Sequence, residues 1–480
     1  MINSIKISNF KAFGEMVEIP FNKLTILSGL NGSGKSTIYQ VLLMLQESEN
    51  CMIKVKGSYI PYLKLNSKSY ELGKTEEILN DKSNNIIKFE LNTDSFNKII
   101  HYEYIPKLAS SSGSTLILKY LKVKLKTGSY YELNRTDNFE WDLKAHHILT
   151  FDLPKIGEEL YKYFKKEFGG EFLKSTVEFK KIRRVQFFDL LFEQITVPFE
   201  DIEKCIKDDL QSQFDINQFK SELEKMNVNI KSLTLLNGAR LEPLEQSFKF
   251  NKIMFIQPFR GYPKRIYRIG TDVEPIKSLD YFTDIKYIYR YDFTNNKRIT
   301  GTLEEAIKYW LIKFFKLADD IMISEPVKDL ITEIFLIKNN KKIPMNNLGF
   351  GISQIIPIIY NILIEKKGLI IVDEPEIHLH PKLQSMLGDF FFQMSLIKGN
   401  IIVETHSEYL IEKIIYLQLK YNKKTKINQF WVESKGNHSI ISKIKFDELG
   451  YILNTPDDFL NENRNLIEDL SKLRLEKIDE

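Results

Sequence analysis

The feature that most constrains this chain is a glycine-rich segment near its start whose chemical partner lies near its other end. Residues 29–36 read GLNGSGKS, which fits the phosphate-binding loop pattern G-x-x-x-x-G-K-S/T. The acidic strand that completes such a site, LIIVDE, occupies residues 369–374. A single nucleotide site is therefore assembled from both ends of the chain, with a large insertion between them.

The phosphate loop lies between an apolar strand predicted at residues 24–27 and a helix predicted from Ser36. Glycines at these positions allow successive backbone N–H groups to point at phosphate oxygens, and the helix N-terminus adds positive charge. We expect Lys35 to reach the β- and γ-phosphates of ATP, Ser36 to ligate Mg²⁺, and Thr37 to contact the α-phosphate. The other loop residues predicted to bind ATP are Asn31, Gly32, Ser33 and Gly34.

The acidic segment has the pattern of a buried strand that ends in polar residues. Its unbroken apolar run indicates a parallel strand covered on both faces, and ligands of α/β proteins bind at the end where Asp373 stands. Asp373 is predicted to hold Mg²⁺ through water or together with Ser36. Glu374 is predicted to orient or deprotonate the attacking water. Two unrelated surface acids are the alternative, which the phosphate loop makes much weaker.

A third apolar strand, residues 401–403, ends in Glu-Thr-His-Ser. His406 is placed there to hydrogen-bond the γ-phosphate and to respond to its loss. A histidine that is merely satisfied in the core or on the surface is the alternative. The position after another parallel-type strand favours the functional interpretation.

A second glycine-rich helix start is predicted at residues 347–354, NLGFGISQ. A helix beginning near Gln354 would place Pro357 in its first turn, where the missing N–H is tolerated. Such a helix start suits another phosphate, so Gly351, Ser353 and Gln354 are predicted to contact ATP. A glycine turn before a core helix explains this segment equally well on its own.

Composition excludes few classes of protein. With 480 residues, 43% of them hydrophobic, and 68 basic against 64 acidic residues, the chain is ordinary for a globular protein of two or three domains. Cys51 and Cys205 provide neither a disulfide framework nor metal spacing. His378 and His380 lack an evident third ligand, so we interpret them as part of a polar loop beside the nucleotide. No stretch reads as a secretory signal or membrane span, so a cytoplasmic location is expected.

The order of predicted elements gives an α/β fold in three parts. Residues 1–150 would form the N-terminal part of an ATPase head, with the phosphate loop and an antiparallel β-rich lobe. Residues 151–250 would form a mainly helical insertion without the heptads of a coiled-coil arm. Residues 251–480 would complete the head, a mixed or parallel sheet with flanking helices.

These four motifs in this order resemble the ABC-type ATPases of the RecF/SMC and OLD-like group. Residues 9–13, NFKAF, resemble the opening strand of that group, which implies that Lys11 lies near the nucleotide. Residues 349–354 resemble a divergent ABC signature, and residues 373–381, DEPEIHLHP, resemble its Walker B motif and D-loop. The resemblance also implies that Gln257 is the Q-loop glutamine, a ligand of Mg²⁺.

The resemblance implies a mechanism in which two heads enclose two ATP molecules. Lys35, Ser36 and Asp373 of one head and Ser353 of the other would contact each nucleotide. Hydrolysis near Glu374 would open the pair, so self-association as a homodimer or higher even oligomer is expected. Catalysis would consist mostly of positioning and charge stabilisation.

Residues 255–265 and the tail around 447–459 resemble compact bacterial ATPases, several of which belong to anti-phage systems such as Septu. This implies a role in defence or DNA maintenance, with a separate effector such as a nuclease. A RecF-like DNA repair ATPase is the alternative. A transporter subunit is less favoured, because the Leu-Ser-Gly-Gly-Gln signature and a membrane-coupling segment are missing.

The sequence also bears on two other classes of protein, a nuclease and a scaffold, and on DNA as a partner. A fused nuclease is disfavoured because no Asp-x-Asp pair follows His406, and a scaffold that does not hydrolyse ATP is disfavoured by Lys35, Asp373 and Glu374. DNA contact and an ordinary solvated face explain two basic clusters equally well. These clusters are Lys180, Lys181, Arg183 and Arg184, and Lys264, Arg265 and Arg268.

Overall fold

The structure is a computed structural model that describes residues 2–150, 176–185, 253–447 and 452–456, with short gaps inside three of these ranges. It has the predicted α/β character. A six-stranded sheet carries the phosphate loop, a ten-stranded antiparallel sheet forms most of the N-terminal lobe, and two smaller sheets complete the described part.

The described N-terminal elements are mostly strands. The strands are β1 (Ile2–Ser8), β2 (Val17–Pro20), β3 (Leu24–Gly29), β4 (Met52–Val55), β5 (Ser58–Leu63), β6 (Ile87–Thr93), β7 (Lys98–Ala109), β8 (Gly113–Leu125), β9 (Tyr130–Arg135), β10 (Trp141–Thr150) and β11 (Thr176–Val185). The helices are α1 (Lys35–Glu47) and α2 (Thr75–Ile78).

The described C-terminal elements alternate between strands and helices. The strands are β12 (Ile253–Ile256), β13 (Tyr267–Arg268), β14 (Tyr287–Asp292), β15 (Lys297–Gly301), β16 (Asp320–Val327), β17 (Ile331–Lys338), β18 (Lys341–Pro344), β19 (Leu369–Asp373), β20 (Ile401–Glu404), β21 (Ile427–Lys435) and β22 (His438–Lys443). The helices are α3 (Leu303–Lys308), α4 (Phe350–Ile364), α5 (Pro381–Ile397) and α6 (Glu408–Lys420), with a π-helical segment at Tyr309–Phe314 and a 3-10 turn at Met345–Asn347.

The six-stranded sheet combines strands from both ends of the chain. Its order is β12-β19-β20-β3-β21-β22, and every neighbouring pair is parallel except β21 and β22. β3, which leads into the phosphate loop, thus lies between two strands of the C-terminal part. The predicted strands at 24–27, 369–372 and 401–403 are confirmed, and their C-terminal ends meet at one edge.

The unbroken apolar runs in this sheet are explained by layers on both of its faces. Leu27, Ile371 and Ile402 pack with α1 and the N-terminal lobe, in one hydrophobic core. Ile370 and Val403, which point the other way, pack with α4, α5 and α6 in a second core. Successive strand residues point to opposite faces, so a strand between two layers is apolar at every position.

The ten-stranded sheet follows the order β11-β10-β9-β8-β7-β6-β1-β2, with β5 pairing to β8 and β4 to β5. The antiparallel β-rich lobe predicted within residues 1–150 includes β6, β7, β8 and β9 of this sheet. One face is buried and includes Phe89, Tyr102 and Trp141. The other face is partly exposed and carries cross-strand ion pairs, which are Lys6–Glu90 (2.7 Å), Lys88–Glu103 (2.9 Å) and Lys122–Glu132 (2.6 Å).

The structure differs from the sequence predictions at two places. Residues 176–185 form strand β11, antiparallel to β10, so the helical prediction is wrong for these ten residues. The rest of the predicted helical insertion, 151–250, lies outside the described residues. α4 begins at Phe350 instead of near Gln354, which places Pro357 inside the helix rather than in its first turn.

Candidate nucleotide site

Three glycines give the phosphate loop its backbone path. Gly29, Gly32 and Gly34 have φ angles of 145°, 74° and 94°, which side chains rarely allow. Residues 9–13, predicted as the opening strand, form a turn after β1. A Cβ atom on Gly34 would lie 2.6 Å from the Cβ of Ala12, so this turn packs directly against the loop. The loop ends where α1 begins, and a helix N-terminus favours a phosphate.

Lys35 occupies the interior of this loop. Its side chain is 3% exposed, and Nζ donates to the carbonyl oxygens of Gly29 (3.1 Å) and Leu30 (2.8 Å). Burial lowers the pKa of Lys35, and nearby carboxylates oppose this shift. The Lys35 ammonium is therefore hydrogen-bonded to carbonyl oxygens of the phosphate loop itself.

The other loop residues differ in accessibility. Asn31 and Gly32 are exposed at the loop tip, whereas Ser33 and Thr37 are buried. The hydroxyl of Ser33 has no hydrogen-bond partner within the described part of the chain. A buried hydroxyl without a partner is costly in a finished structure, and a ligand that accepts from it would remove that cost.

The ends of β19 and β20 place two acids beside the loop. Asp373 and Glu404 are directly opposite each other in the parallel register. Tyr39 on α1 donates its hydroxyl proton to Oδ2 of Asp373, and Ser36 Oγ donates to Oε1 of Glu404 at 3.1 Å. The phosphate loop, the first turns of α1 and the acidic strand ends therefore form one site.

These two acids are held in an environment that disfavours their charged forms. Burial raises the pKa of Asp373 to about 6. Burial, with the charge of Asp373 adding to it, raises the pKa of Glu404 to about 8. Lys35 opposes both shifts, so burial outweighs the nearby positive charge. A bound cation would favour the charged forms of both acids.

Glu374 and His406 lie next to this pair. Glu374 has a φ of 41°, an uncommon backbone conformation for a residue with a side chain, and its N–H donates to the Glu404 carbonyl at 2.9 Å. Its Oε1 lies 3.7 Å from His406 Nε2. Burial lowers the pKa of His406, and Lys35 acts in the same direction. The residue predicted to orient or deprotonate water and the histidine predicted to contact the γ-phosphate are therefore neighbours.

Arg260 connects this edge to the glycine-rich start of α4. Its Nη2 donates to the carbonyl oxygens of Asp373 (3.1 Å) and Glu374 (3.2 Å), and its backbone N–H donates to Gln354 Oε1 at 3.0 Å. Burial lowers its pKa to about 10, with the charges of Glu376 and the strand-end acids opposing that shift. Arg260 Nε and Nη1 are buried without a hydrogen-bond partner among the described residues.

The signature-like segment packs against the loop that follows β19. A Cβ on Gly351 would lie 2.4 Å from the carbonyl oxygen of His378, so this early helical position requires glycine. Ser353 is buried, and its hydroxyl donates to the carbonyl of Phe350 at 2.6 Å. Gln354 is also buried and donates to the carbonyl of Gly261 at 3.1 Å. Gly349 is the exposed backbone position at this helix start.

The two residues implied by the family resemblance have different settings. Lys11 has a φ of 49°, and its Nζ donates to Oε1 of Gln40 on α1 at 3.2 Å. Burial lowers the pKa of Lys11. Gln257 is exposed and directly follows β12, the strand beside β19. Both lie near elements of the site, and their contacts with nucleotide or metal stay predictions.

Sequence reasoning missed Tyr39, Arg260 and Glu404. Glu404 carried a readable signal, since it ends its apolar strand as Asp373 does. Tyr39 belongs to none of the motifs. Arg260 lies in the segment 255–265 that carries part of the family resemblance, but that resemblance gave the arginine no role, and its irregular backbone predicts no partner.

The residues present fit an Mg²⁺ ion that arrives with a nucleotide. Across the described ranges, no three His, Cys, Asp or Glu side chains are grouped to hold a metal by themselves. Mg²⁺ in phosphate sites needs only one or two carboxylates, because phosphate oxygens and waters complete its shell. Ser36 and Asp373 offer such partial ligation, with one hydroxyl and one carboxylate beside the phosphate loop.

A family model described as an AAA ATPase domain matches residues 1–411, a range that includes every predicted site residue. The chain belongs to this AAA ATPase domain family. No curated protein matches the chain at a significant level. The helices described for this AAA ATPase include none long and apolar enough to cross a membrane.

Solved structures similar to this AAA ATPase include three SMC head domains. One, from Thermotoga maritima, has 11% identity and a TM-score of 0.34, covering 92% of this chain and 99% of that chain. Another, from Pyrococcus furiosus and bound to the C-terminal domain of ScpA, has 12% identity, a TM-score of 0.37 and coverages of 98% and 99%. The third, from Pyrococcus yayanosii, has 12% identity, a TM-score of 0.37 and coverages of 92% and 97%. With TM-scores below 0.5, these similarities carry no inference about function.

Proposed function

We propose that this protein binds and hydrolyses ATP and uses the cycle as a switch. The observation that carries the proposal is the convergence of Lys35, Ser36, Asp373, Glu374 and His406 at one sheet edge, although they come from opposite ends of the chain. A phosphate-binding loop with its lysine, an acid that holds Mg²⁺ and a residue that positions water are recurring parts of phosphoryl-transfer sites.

Each residue then has a defined task. Lys35 leaves the loop carbonyls and pairs with the β- and γ-phosphates, while the backbone of residues 31–34 donates to phosphate oxygens. Ser36 and Asp373, with Gln257 at the next strand, are the residues that would hold Mg²⁺, which offsets phosphate charge when bound. Thr37 is assigned to the α-phosphate and Lys11 to the nucleotide's surroundings.

Glu374 orients or deprotonates the water that attacks the γ-phosphorus. The oxygen of this water forms a new bond to phosphorus, the bond to the bridging oxygen breaks, and ADP leaves. The side chain of Glu374 is 33% exposed, so water reaches it. His406, which lies beside Glu374, donates to the γ-phosphate and loses that partner after hydrolysis.

Self-association around ATP is the second part of the proposal. Phe259 and Tyr262 are 51% and 76% exposed, and with Phe350 they form an aromatic cluster beside the start of α4. Large exposed apolar groups next to a glycine-rich helix start support a face that a second head covers. Gly351 and Gln354 would shape this face, and Ser353 would have to turn from the Phe350 carbonyl to reach the partner's ATP.

The cellular role that we propose is control of a separate effector, such as a nuclease, in anti-phage defence or DNA maintenance. It rests on the motif resemblance, with a RecF-like repair ATPase as the alternative. Lys6, Lys88 and Lys122 on the outer sheet face are paired with glutamates, so this face is not proposed to bind DNA. The basic run of β11 and the exposed residues 264–265 are the segments to test.

Two variants test the ATPase proposal. Lys35→Ala is expected to abolish ATP binding, because the buried phosphate partner is removed. Glu374→Gln is expected to bind ATP, to lose hydrolysis by a factor of about 100 or more, and to accumulate as an ATP-bound dimer. Fluorescent-nucleotide binding, phosphate release and light scattering measure these three outcomes.

Distinct results contradict distinct parts of the proposal. Normal hydrolysis by Glu374→Gln would disprove its assignment as the base that orients or deprotonates water. An unchanged mass with ATP would disprove the two-head model and leave ATP binding intact. Ser353→Ala provides the matched control for the second head, since it should weaken dimer formation without changing ATP binding by the monomer.

A further inference from the structure

One buried acid of the site lies in the third motif but has no role assigned to it by the sequence. Glu404 is 3% exposed and lies opposite Asp373 in the sheet register. Its Oε1 accepts the hydroxyl proton of Ser36 at 3.1 Å and lies 4.0 Å from Lys35 Nζ. It therefore contacts the two phosphate-loop side chains that the proposed function assigns to Mg²⁺ and phosphate.

The second carboxylate oxygen of Glu404 is buried and has no hydrogen-bond partner among the described residues. A carboxylate oxygen left in this state is costly, because burial removes its water without providing a replacement. The three residues before Glu404 are apolar, so an apolar residue would continue the strand without that cost. This unsatisfied oxygen is therefore free to accept a further ligand beside Ser36, such as a bound cation.

We propose that Glu404 is a second carboxylate for the Mg²⁺ ion of the bound nucleotide, acting alongside Asp373 on the neighbouring strand. The proposal rests on the ATPase function above and adds to it, since that function needs only Ser36 and Asp373 as the acid–hydroxyl pair. One or two carboxylates with phosphate oxygens and waters is the usual environment of Mg²⁺ in such sites. In the free protein, Glu404 holds the Ser36 hydroxyl in place.

A purely structural role for Glu404 is the competing explanation. In that case the carboxylate would orient Ser36 and balance Lys35, and its loss would weaken nucleotide binding whether or not metal is present. A metal-directed role predicts a loss that appears only when metal is present. The two explanations are therefore separated by measuring nucleotide and metal binding independently.

The experiment uses the full chain, with ADP as nucleotide and Mn²⁺ as a paramagnetic substitute for Mg²⁺. ADP affinity is first measured in EDTA, and Mn²⁺ is then titrated into the protein–ADP complex while free Mn²⁺ is followed by electron paramagnetic resonance. Glu404→Gln is expected to keep its ADP affinity in EDTA and to bind Mn²⁺ about 10- to 100-fold more weakly. Asp373→Asn should show a comparable loss.

Two further variants keep the result interpretable. Glu376→Gln is the matched control, because Glu376 is a nearby acid with a raised pKa whose Oε1 accepts from the His406 N–H instead of Ser36. It should leave Mn²⁺ affinity unchanged. Glu404→Asp keeps the charge on a shorter side chain, so it should lose less Mn²⁺ affinity than Glu404→Gln.

The proposal is overturned by any of three results. These are unchanged Mn²⁺ affinity in Glu404→Gln, an equal loss of ADP affinity with and without metal, or equal losses in the Asp and Gln variants. Failure of the wild-type chain to bind ADP both in EDTA and in the presence of Mn²⁺ would overturn the ATPase function as well. That outcome is recognised before any variant is compared.

Discussion

Charged residues occur in two contrasting settings in this protein. On the outer face of the ten-stranded sheet, lysines and glutamates on neighbouring strands pair one to one and remain partly exposed. At the edge of the six-stranded sheet, Asp373, Glu374 and Glu404 meet in a largely buried region that contains the cations Lys35 and Arg260. Acidic and basic residues are thus partly exposed and paired on the outer sheet face, and largely buried at the edge of the six-stranded sheet.

The difference is visible in the pKa shifts. A hydrogen bond from His101 and the nearby Lys88 lower the pKa of Glu103 on the outer face to about 2. Burial raises the pKa of Asp373 and Glu404 at the site. Glu103 on the outer face is held in its charged form by neighbouring basic residues, whereas burial disfavours the charged forms of the two acids at the site. A site prepared for a cation and a nucleotide is expected to look like the second setting.

Arg260→Ala should have the largest effect on this comparison. The change removes a buried cation next to three acids and leaves the Asp373 and Glu374 carbonyls without that donor. We expect the free energy of unfolding to fall by about 2–4 kcal/mol and ATP hydrolysis to be lost. Equilibrium unfolding in urea and phosphate release provide the measurements.

Arg260→Lys is the control for that prediction. Lysine keeps the charge, but its single ammonium cannot reproduce the shape and position of the guanidinium whose Nη2 donates to both carbonyls, so an intermediate loss is expected. A loss below about 1 kcal/mol in Arg260→Ala would mean that the acids do not depend on this guanidinium. The contrast between the two settings would then be much weaker.

Glu404 gives the next largest effect, a dependence of stability on pH. Its folded pKa is raised from 4.5 to about 8, so the folded state binds more protons than the unfolded state between these values. The free energy of unfolding therefore falls as pH rises through this window. Glu404→Gln should remove part of the slope and stabilise the nucleotide-free protein at pH 8 by about 1–3 kcal/mol.

Thermal unfolding at pH 5 and pH 8, without nucleotide or metal, measures this slope. Asp373, whose pKa is raised to about 6, contributes in the same direction at lower pH and remains in the variant. An identical pH slope in the wild type and Glu404→Gln would show that the acid at this position is not held in its protonated form.

Lys88→Ala should have the smallest effect. The Lys88–Glu103 pair is partly exposed, and such pairs contribute about 0.2–1 kcal/mol. The loss should shrink further in high salt, because exposed charges are screened. Urea unfolding at low and high salt measures it, and a salt-independent loss above about 2 kcal/mol would contradict the division between the two settings.

The sequence predicted much of the fold because the apolar runs of β3, β19 and β20 leave few choices. Strands that are apolar throughout and end in polar residues form a parallel sheet, and this brings Lys35, Asp373 and His406 to one edge. β11 was missed because its apolar residues, at 177, 179, 182 and 185, follow neither strand nor helix spacing throughout. Its pairing with β10 decides its conformation.

The sequence did not predict which side chains on distant elements contact each other, because those contacts depend on the folded structure. No motif includes Tyr39, and only the folded sheet places Asp373 at its hydroxyl. Arg260 likewise depends on a loop path that no local preference determines. Ser353 was assigned from the motif, yet its hydroxyl is turned into its own helix.

The position of β3 between β20 and β21 has a consequence for the order of events during synthesis. A ribosome makes the phosphate loop early, but Thr25 pairs with Ile402 on one side and with Asn428 on the other. The apolar strand β3 therefore stays unpaired until its partners β20 and β21 have been translated. Such distant pairing slows folding and leaves that strand open to wrong contacts. A half-made chain therefore has the phosphate loop in its sequence but no assembled site in which to use it.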